Sequence, residues 1–287
     1  MNRYIQKSFR LVTRSQYAPV WLHKLKFYSF HNYFPNLQNP LTFSEKLLKR
    51  ILEERDPYYP VYANKLLAPL FIQQFKIPNL SVNSVLGVTS KLDKKFIYDL
   101  PDQFALKLTY GSGRNLIVVD KSEIEFDTII PWFNKELTRV KNAQMFTNPY
   151  CAVFAEPLLI SDDKLPEDYK FHCFNSKKHG FNCVFQVDLN RFSDHKRNIY
   201  DKKCNLIDMR WCDVSPSEKP QTLPSNIEEM LDISKRISRQ FSYMRVDLYT
   251  LNNRIYFGEL TPFHQGAMQK FSDKTWDIKL GKMWDYE

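Results

Sequence analysis

No stretch of about 18 apolar residues occurs anywhere in the 287-residue sequence, so no segment is built to cross a bilayer as a helix. The start, MNRYIQKSFRLVTRSQY, is broken by charge too often to hold the apolar stretch of a signal peptide. The five cysteines, Cys151, Cys173, Cys183, Cys204 and Cys212, are odd in number and include no CxxC pair. That argues against a disulfide framework and against a zinc ribbon. These absences predict a cytoplasmic protein. Also missing are the GxxxxGK(S/T) spacing of a P-loop, the GxGxxG dinucleotide fingerprint and the GxSxG nucleophile turn. No internal repeat or low-complexity stretch is present. Acids are scarce at the start: residues 1–50 hold nine Lys and Arg against one acid, Glu45.

What is present supports a packed fold. Apolar residues make up 43% of the chain, with 22 Phe and 16 Tyr, enough to bury a sizeable core. The length suits one large domain or two coupled ones, at roughly 150 residues per domain. The net charge of +9 is concentrated in the basic start, which suits anionic lipid or an anionic glycan, or simply a solvated surface. No nucleic-acid module accompanies the charge, so nucleic acid is not an expected partner.

Residues 3–14 predict a short basic helix with Ile5 and Phe9 on one side. Thr42-Phe-Ser-Glu45 is a capping box and predicts a helix over 43–55. A second helix over 58–75 should be kinked or split by Pro69. Strands follow. Alternation in Phe104–Thr109 puts Phe104, Leu106 and Leu108 on one face and Lys107 and Thr109 on the other. A turn at Tyr110-Gly-Ser-Gly113 leads to a returning strand at Asn115–Asp120, and 122–138 reads as helix. Residues 151–160 form an apolar strand interrupted by Glu156. Strands near 168–174 and 180–188 come next, then a helix opened by the capping box Ser225-Asn-Ile-Glu228. A hairpin of Arg245–Leu251 and Ile255–Thr261 turns at Asn252-Asn253. The order of elements predicts an α+β architecture in two lobes joined near 155–158.

Asp247 and Glu259 interrupt apolar strands, where a lone carboxylate costs several kcal/mol unless paired or metal-bound. Two acids on one face make a cradle for Mg²⁺; the competing reading is a salt bridge to Arg245, on the same strand face as Asp247. A two-residue loop would set Asp247 opposite Gly258 and turn Glu259 away, so a metal site predicts a loop of odd length. Lys107 followed by Gly111-Ser112-Gly113 is a workable phosphate grip, although a hairpin turn also wants glycine. Asp168 and Lys170 share a strand face, and taken alone they read as a surface ion pair. His172, Cys173, His179 and Cys183 match no common zinc spacing.

In order along the chain stand PLTFSEK, NKLLAP, LPDQFALKLTYGSGRNLIVVDKS, FAEPLL, DYKFHCFN and RVDLYTLNNRIYFGELT. This series, from Asn39 to Gly281, resembles the TupA-like ATP-grasp proteins, named for teichuronopeptide biosynthesis. The resemblance implies a basic helical region (1–84), a small lobe with the phosphate loop (85–156) and a large lobe with the metal hairpin (157–287). It implies ATP between the lobes, with Lys107 and Gly111–Gly113 on the phosphates. Glu156 would stand at the adenine side, where the main chain of Leu158 or Leu159 reads the purine. Lys170 would face the phosphates, Lys107, Lys170 and Arg245 would be the catalytic cations, and Asp247 and Glu259 would hold Mg²⁺. It further implies a ligase that activates a carboxylate as an acyl phosphate and passes it to an amine. The setting would be bacterial surface polysaccharide, with an amino acid or peptide joined to a uronic-acid glycan at the inner membrane face. A sugar kinase on the same fold and a glycosyltransferase are the alternatives; the latter would use an acidic pair such as Asp162-Asp163. Three positions depart from the family pattern: Asn64 before Lys65 where Asp is usual, Pro69 near the place of an Arg, and Thr261 where an Asn often adds a third metal ligand.

Overall fold

The computed structural model describes residues 18–54, 56–111, 113, 115–141, 150–161, 165–189, 194–212 and 214–286. The basic segment 3–14, Ser112 and Asp162-Asp163 lie outside them. Helix α1 (Val20–His31) opens the described chain. Helix α2 (Phe43–Glu53) carries the predicted capping box in full: Thr42 Oγ1 accepts from the Glu45 amide (3.1 Å), and Glu45 Oε2 accepts from the Thr42 amide (3.0 Å). The helix expected over 58–75 is split into α3 (Tyr59–Tyr62) and α4 (Ala68–Gln73), and Pro69 sits in the first turn of α4, where no backbone donor is needed. Then come β1 (Leu80–Ser81), β2 (Gly87–Thr89), α5 (Lys94–Tyr98), β3 (Phe104–Leu108), β4 (Asn115–Val118), α6 (Phe126–Lys141) and β5 (Val153–Pro157). The chain continues through β6 (Asp168–Ser176), β7 (Gly180–Leu189), β8 (Lys196–Asp201), α7 (Ile227–Ser238), β9 (Tyr243–Leu251), β10 (Arg254–Thr261) and α8 (Lys274–Met283).

Two sheets result. The larger has the order β1-β10-β9-β6-β7-β8, and the smaller has the order β2-β5-β3-β4. Alternation along the central strands divides the larger sheet's duties. Tyr169, Phe171, Cys173, Val246 and Leu248 join a core that also holds Met230, Ile233 and Ile237 of α7. The other face is aromatic at one end, where Phe174 and Tyr243 share a core with Phe43 of α2 and Trp284 beyond α8. At its other end that face carries Asp168, Lys170, Gln186, Asp188 and Asp247, all of them buried. In the small sheet Phe104, Leu106 and Leu108 face a separate core with Phe133 and Leu137 of α6.

Two local expectations are corrected. The capping box at Ser225 does not form: Asn226 occupies the N-cap position without a side-chain cap bond. Its amide instead donates to Thr250 Oγ1 (2.9 Å) and to the Asn253 carbonyl (3.3 Å), so the residue fastens α7 to the β9–β10 turn. The odd-length loop is also absent. Arg254 pairs with Leu251 around a two-residue turn, with Asn252 (φ 49°) and Asn253 (φ 61°) both left-handed. Asp247 nevertheless faces Glu259, because a bulge between Phe257 and Glu259 takes Gly258 out of the ladder.

Candidate active site

A cleft of about 350 Å³ opens between the two sheets. The small sheet contributes Lys107, Asn115, Phe154 and Glu156, and the large sheet contributes its buried polar end. Cross-strand pairing makes that end a row: Glu259 faces Asp247, Asp247 faces Lys170, and Lys170 faces Gln186. A second row runs from Tyr249 through Asp168 and Asp188 to Arg197.

Arg245 organises the metal candidates. Its guanidinium donates from Nε to Asp247 Oδ1 (2.6 Å), from Nη2 to Asp247 Oδ2 (2.7 Å) and again from Nη2 to Glu259 Oε1. The third nitrogen meets His264 Nδ1 at 3.0 Å. Burial and the neighbouring Arg245 charge hold the His264 imidazole well below its ordinary pKa, so it is neutral and accepts this bond. Lys65 completes the set, 2.7 Å from Glu259 Oε2 and 2.8 Å from the Gly111 carbonyl. Burial alone would push the Glu259 carboxyl up; Lys65 and then Arg245 outweigh it and hold the group below its ordinary range. The salt-bridge reading and the two-carboxylate reading therefore describe one cluster.

The Asp168–Lys170 pair is not on the surface, contrary to expectation. Lys170 bonds Asp168 and reaches Asp188 at 3.2 Å and Asp247 at 3.8 Å, inside the cleft. Asp188 also accepts from Arg197 (2.6 and 3.1 Å) and lies 3.1 Å from His195 Nε2. Burial opposes ionisation of Asp188, but Lys170 and Arg197 prevail and hold it well below the carboxylate range. Across the cleft Lys107 pairs with Glu156 between β3 and β5. Gly111 and Gly113, both at positive φ (97° and 70°), line the opening. Leu158 and Leu159 follow β5 and are half-buried.

Sequence reasoning did not bring Gln186, Asp188, Arg197, His264 or Lys65 to the cleft that they line. Gln186 is fully buried, and neither its amide nitrogen nor its amide oxygen has a partner among the described residues. A glutamine and an aspartate interrupting the apolar run of FNCVFQVDL were the available signal. Asn64, standing where the family shows Asp, caps the turn before α4: its Oδ1 accepts from the Leu66 and Leu67 amides (2.9 and 3.1 Å).

Whether Mg²⁺ fits can be judged from the donors. Among the described residues no group of three or more His, Cys, Asp or Glu is arranged to hold a metal ion by itself. Two carboxylates at an open cleft match an ion that takes one or two protein oxygens and fills its shell from phosphates and water. Thr261 gives its hydroxyl to Glu259 Oε1 at 3.3 Å, which orients that carboxylate.

Two sheets enclosing a cation-lined cleft over a paired-carboxylate hairpin define an ATP-grasp architecture. The chain belongs to the TupA-like ATPgrasp family, whose model matches residues 45–285. No curated protein sequence matches it. Among solved structures it is similar to D-alanine–D-alanine ligase from Helicobacter pylori: 18% identity, 77% of this chain, 59% of that chain and a TM-score of 0.41. It is also similar to D-alanyl-alanine synthetase A from Vibrio cholerae O1 biovar eltor: 13% identity, 70% and 56% covered, TM-score 0.43. D-alanine–D-alanine ligase from Bacillus anthracis complexed with ATP gives 13% identity, 71% and 55% covered, and a TM-score of 0.39. The chain thus spans somewhat over half the length of these structures.

Proposed function

We propose that the protein is an ATP- and Mg²⁺-dependent carboxylate–amine ligase that joins an amino acid or short peptide to a uronic-acid-containing polysaccharide or its precursor. The observation that carries the reading is the cleft floor itself. Asp247 and Glu259, brought level by the Gly258 bulge, share the cleft with four cations from separate parts of the chain: Lys65, Lys107, Lys170 and Arg245. In this reading Lys107 and the Gly111–Gly113 loop receive the triphosphate, while the main chain near Leu158 and Leu159 receives the purine. Asp247 and Glu259 would hold Mg²⁺, whose chemistry there is to neutralise charge on the phosphates.

The acceptor carboxylate displaces ADP from the γ-phosphorus and forms an acyl phosphate. The amine then attacks the acyl carbon, inorganic phosphate leaves, and the amine loses a proton. Arg245, fixed by three partners, faces the developing charge without having to reorganise, which is where such a fork contributes most. Hydroxylamine tests the step directly, because it converts acyl phosphates to hydroxamates. Wild type with MgATP, a panel of uronic acids and hydroxylamine should give hydroxamate and ADP in equal amounts. AMP with pyrophosphate, or a stable phosphorylated sugar without hydroxamate, would refute the ligase reading in favour of adenylation or a kinase.

A further inference from the structure

Helix α1 is apolar on two sides, and only one of them is covered. Phe27 is fully buried, stacked on His31 (ring centroids 4.1 Å apart) and edge-on to Tyr33 (5.3 Å). An adjoining side shows Trp21, Lys24 and Tyr28 at i, i+3 and i+7, spacings that align on one helix face. Trp21 is 60% exposed and Tyr28 43%. Phe34, 59% exposed just past the helix, stacks on Tyr28 with centroids 4.6 Å apart. An aromatic ring in water gains nothing from this exposure, and a stacked pair with a third ring two turns away on the same helix face makes an apolar patch rather than scattered residues.

The sequence on either side of these rings carries charge of one sign. From residue 1 to residue 44 the sequence holds Arg3, Lys7, Arg10, Arg14, Lys24 and Lys26 and no Asp or Glu. Trp and Tyr rings beside lysine are the chemistry of a bilayer's headgroup layer, where the ring body is apolar, its edge is wet and the ammonium meets lipid phosphate. The helix has 12 residues and lies far short of a span, and no helix among the described residues is long and apolar enough to cross a membrane. It is suited to lie in the surface. It is also tied to the cleft: His31 Nε2 is 2.9 Å from the Ala267 carbonyl, and Gln265 and Gly266 of the same short turn line the cleft.

We infer that the Trp21–Tyr28–Phe34 face of α1 is a membrane-seating surface that lies in the headgroup layer of an anionic bilayer, with the end of the cleft held close above it. The surface is independent of the chemistry in the cleft, since none of these side chains lines it.

Cosedimentation of the full chain with vesicles tests this. Wild type should pellet with phosphatidylcholine vesicles containing about one-third phosphatidylglycerol, and about tenfold less with pure phosphatidylcholine at about 0.1 M salt. Trp21→Ala with Tyr28→Ala and Phe34→Ala should lower the partition coefficient about tenfold or more, with the melting temperature held. Trp21→Ala and Phe34→Ala singly serve if the triple variant fails to fold. Brominated lipid should quench a fluorescence component that Trp21→Phe removes. The inference is overturned if the aromatic variants pellet like wild type, if both lipid compositions bind equally, or if wild type does not bind. It is equally overturned if the variants abolish a dimer seen by light scattering while leaving vesicle binding intact, because the occupant would then be a second copy of the chain.

Discussion

Gly258→Ala probes the device that makes the site. A Cβ at residue 258 would stand 2.8 Å from Tyr249 Cε2 and 3.0 Å from the Asp247 carbonyl oxygen. The Tyr249 ring can rotate aside. The carbonyl cannot move without carrying the Asp247 backbone, so a shift of some tenths of an ångström falls on the carboxylate that Arg245 holds. Overpacking of this kind costs about 1–3 kcal/mol. For a chain of this size that corresponds to a loss of roughly 2–5 °C in melting temperature. Since a 1 Å displacement of a catalytic group costs about 10²-fold, a shift of half that size should lower Mg²⁺-dependent ATP turnover about tenfold. Differential scanning fluorimetry and coupled ADP release read the two effects. Gly266→Ala is the contrast, because there φ is +57° and no atom lies within 4 Å of the added carbon. It should cost only backbone strain of about 1 kcal/mol. Gly258→Ala matching wild type in both melting and turnover would refute the claim that a tightly filled bulge sets the carboxylate pair.

Asp247→Asn and Glu259→Gln should each abolish Mg²⁺-dependent ATP turnover, measured as ADP release. Neither should gain stability from relieved repulsion, because Arg245 and Lys65 already neutralise the pair; a higher melting temperature would contradict that. Gln186→Leu should stabilise the ligand-free protein by about 1 kcal/mol in urea unfolding, since it removes a buried amide with no partner among the described residues. Burial pushes the Asp277 carboxyl up to about 6, against the Ser44 amide bond at 2.8 Å. The folded pKa lies above the unfolded one, so its contribution is greatest below about pH 4 and is lost as pH rises through 6, about 3 kcal/mol in all. Asp277→Asn keeps an acceptor for Ser44 and should flatten that decline between pH 4 and 7, read as unfolding free energy against pH. Gly281→Ala would drive a carbon to 2.1 Å from the Leu41 carbonyl where α8 crosses the start of α2. A loss of at least about 3 kcal/mol is expected, and a melt within a degree of wild type would show that the two helices do not pack so closely.

Much of the site was legible because it depends on short-range order. Period-two alternation alone put Lys107 opposite Leu106 and Leu108, and an acid in an apolar strand marked Glu156, Asp247 and Glu259. Capping chemistry located α2, and Pro69 located the break between α3 and α4. The family's motif series assigned provisional roles to the cations. Other features could not be read from local pattern. Asp168 and Lys170 look like a surface ion pair on a strand taken alone; they are buried at the cleft between the two sheets, among partners from other strands. Ser225 and Asn226 carry a capping signature, yet their side chains bond the hairpin turn, a partner about 25 residues away in sequence. Strand β8 was missed because KRNIYD has little apolar alternation and owes its place to pairing with β7.

The carboxylate pair shows the division most clearly. The chain by itself determined which residues carry charge and that the hairpin turns at Asn252-Asn253; a two-residue turn there goes with an unbroken alternation of faces. From these alone Glu259 points away from Asp247. Tertiary structure decided the reverse, through one glycine that leaves the ladder. The bulge is possible only because Gly258 has no side chain to meet Tyr249 and the Asp247 carbonyl. A strand's period says which way a residue faces only while its hydrogen-bond register is unbroken, and where the register breaks is settled by three-dimensional packing.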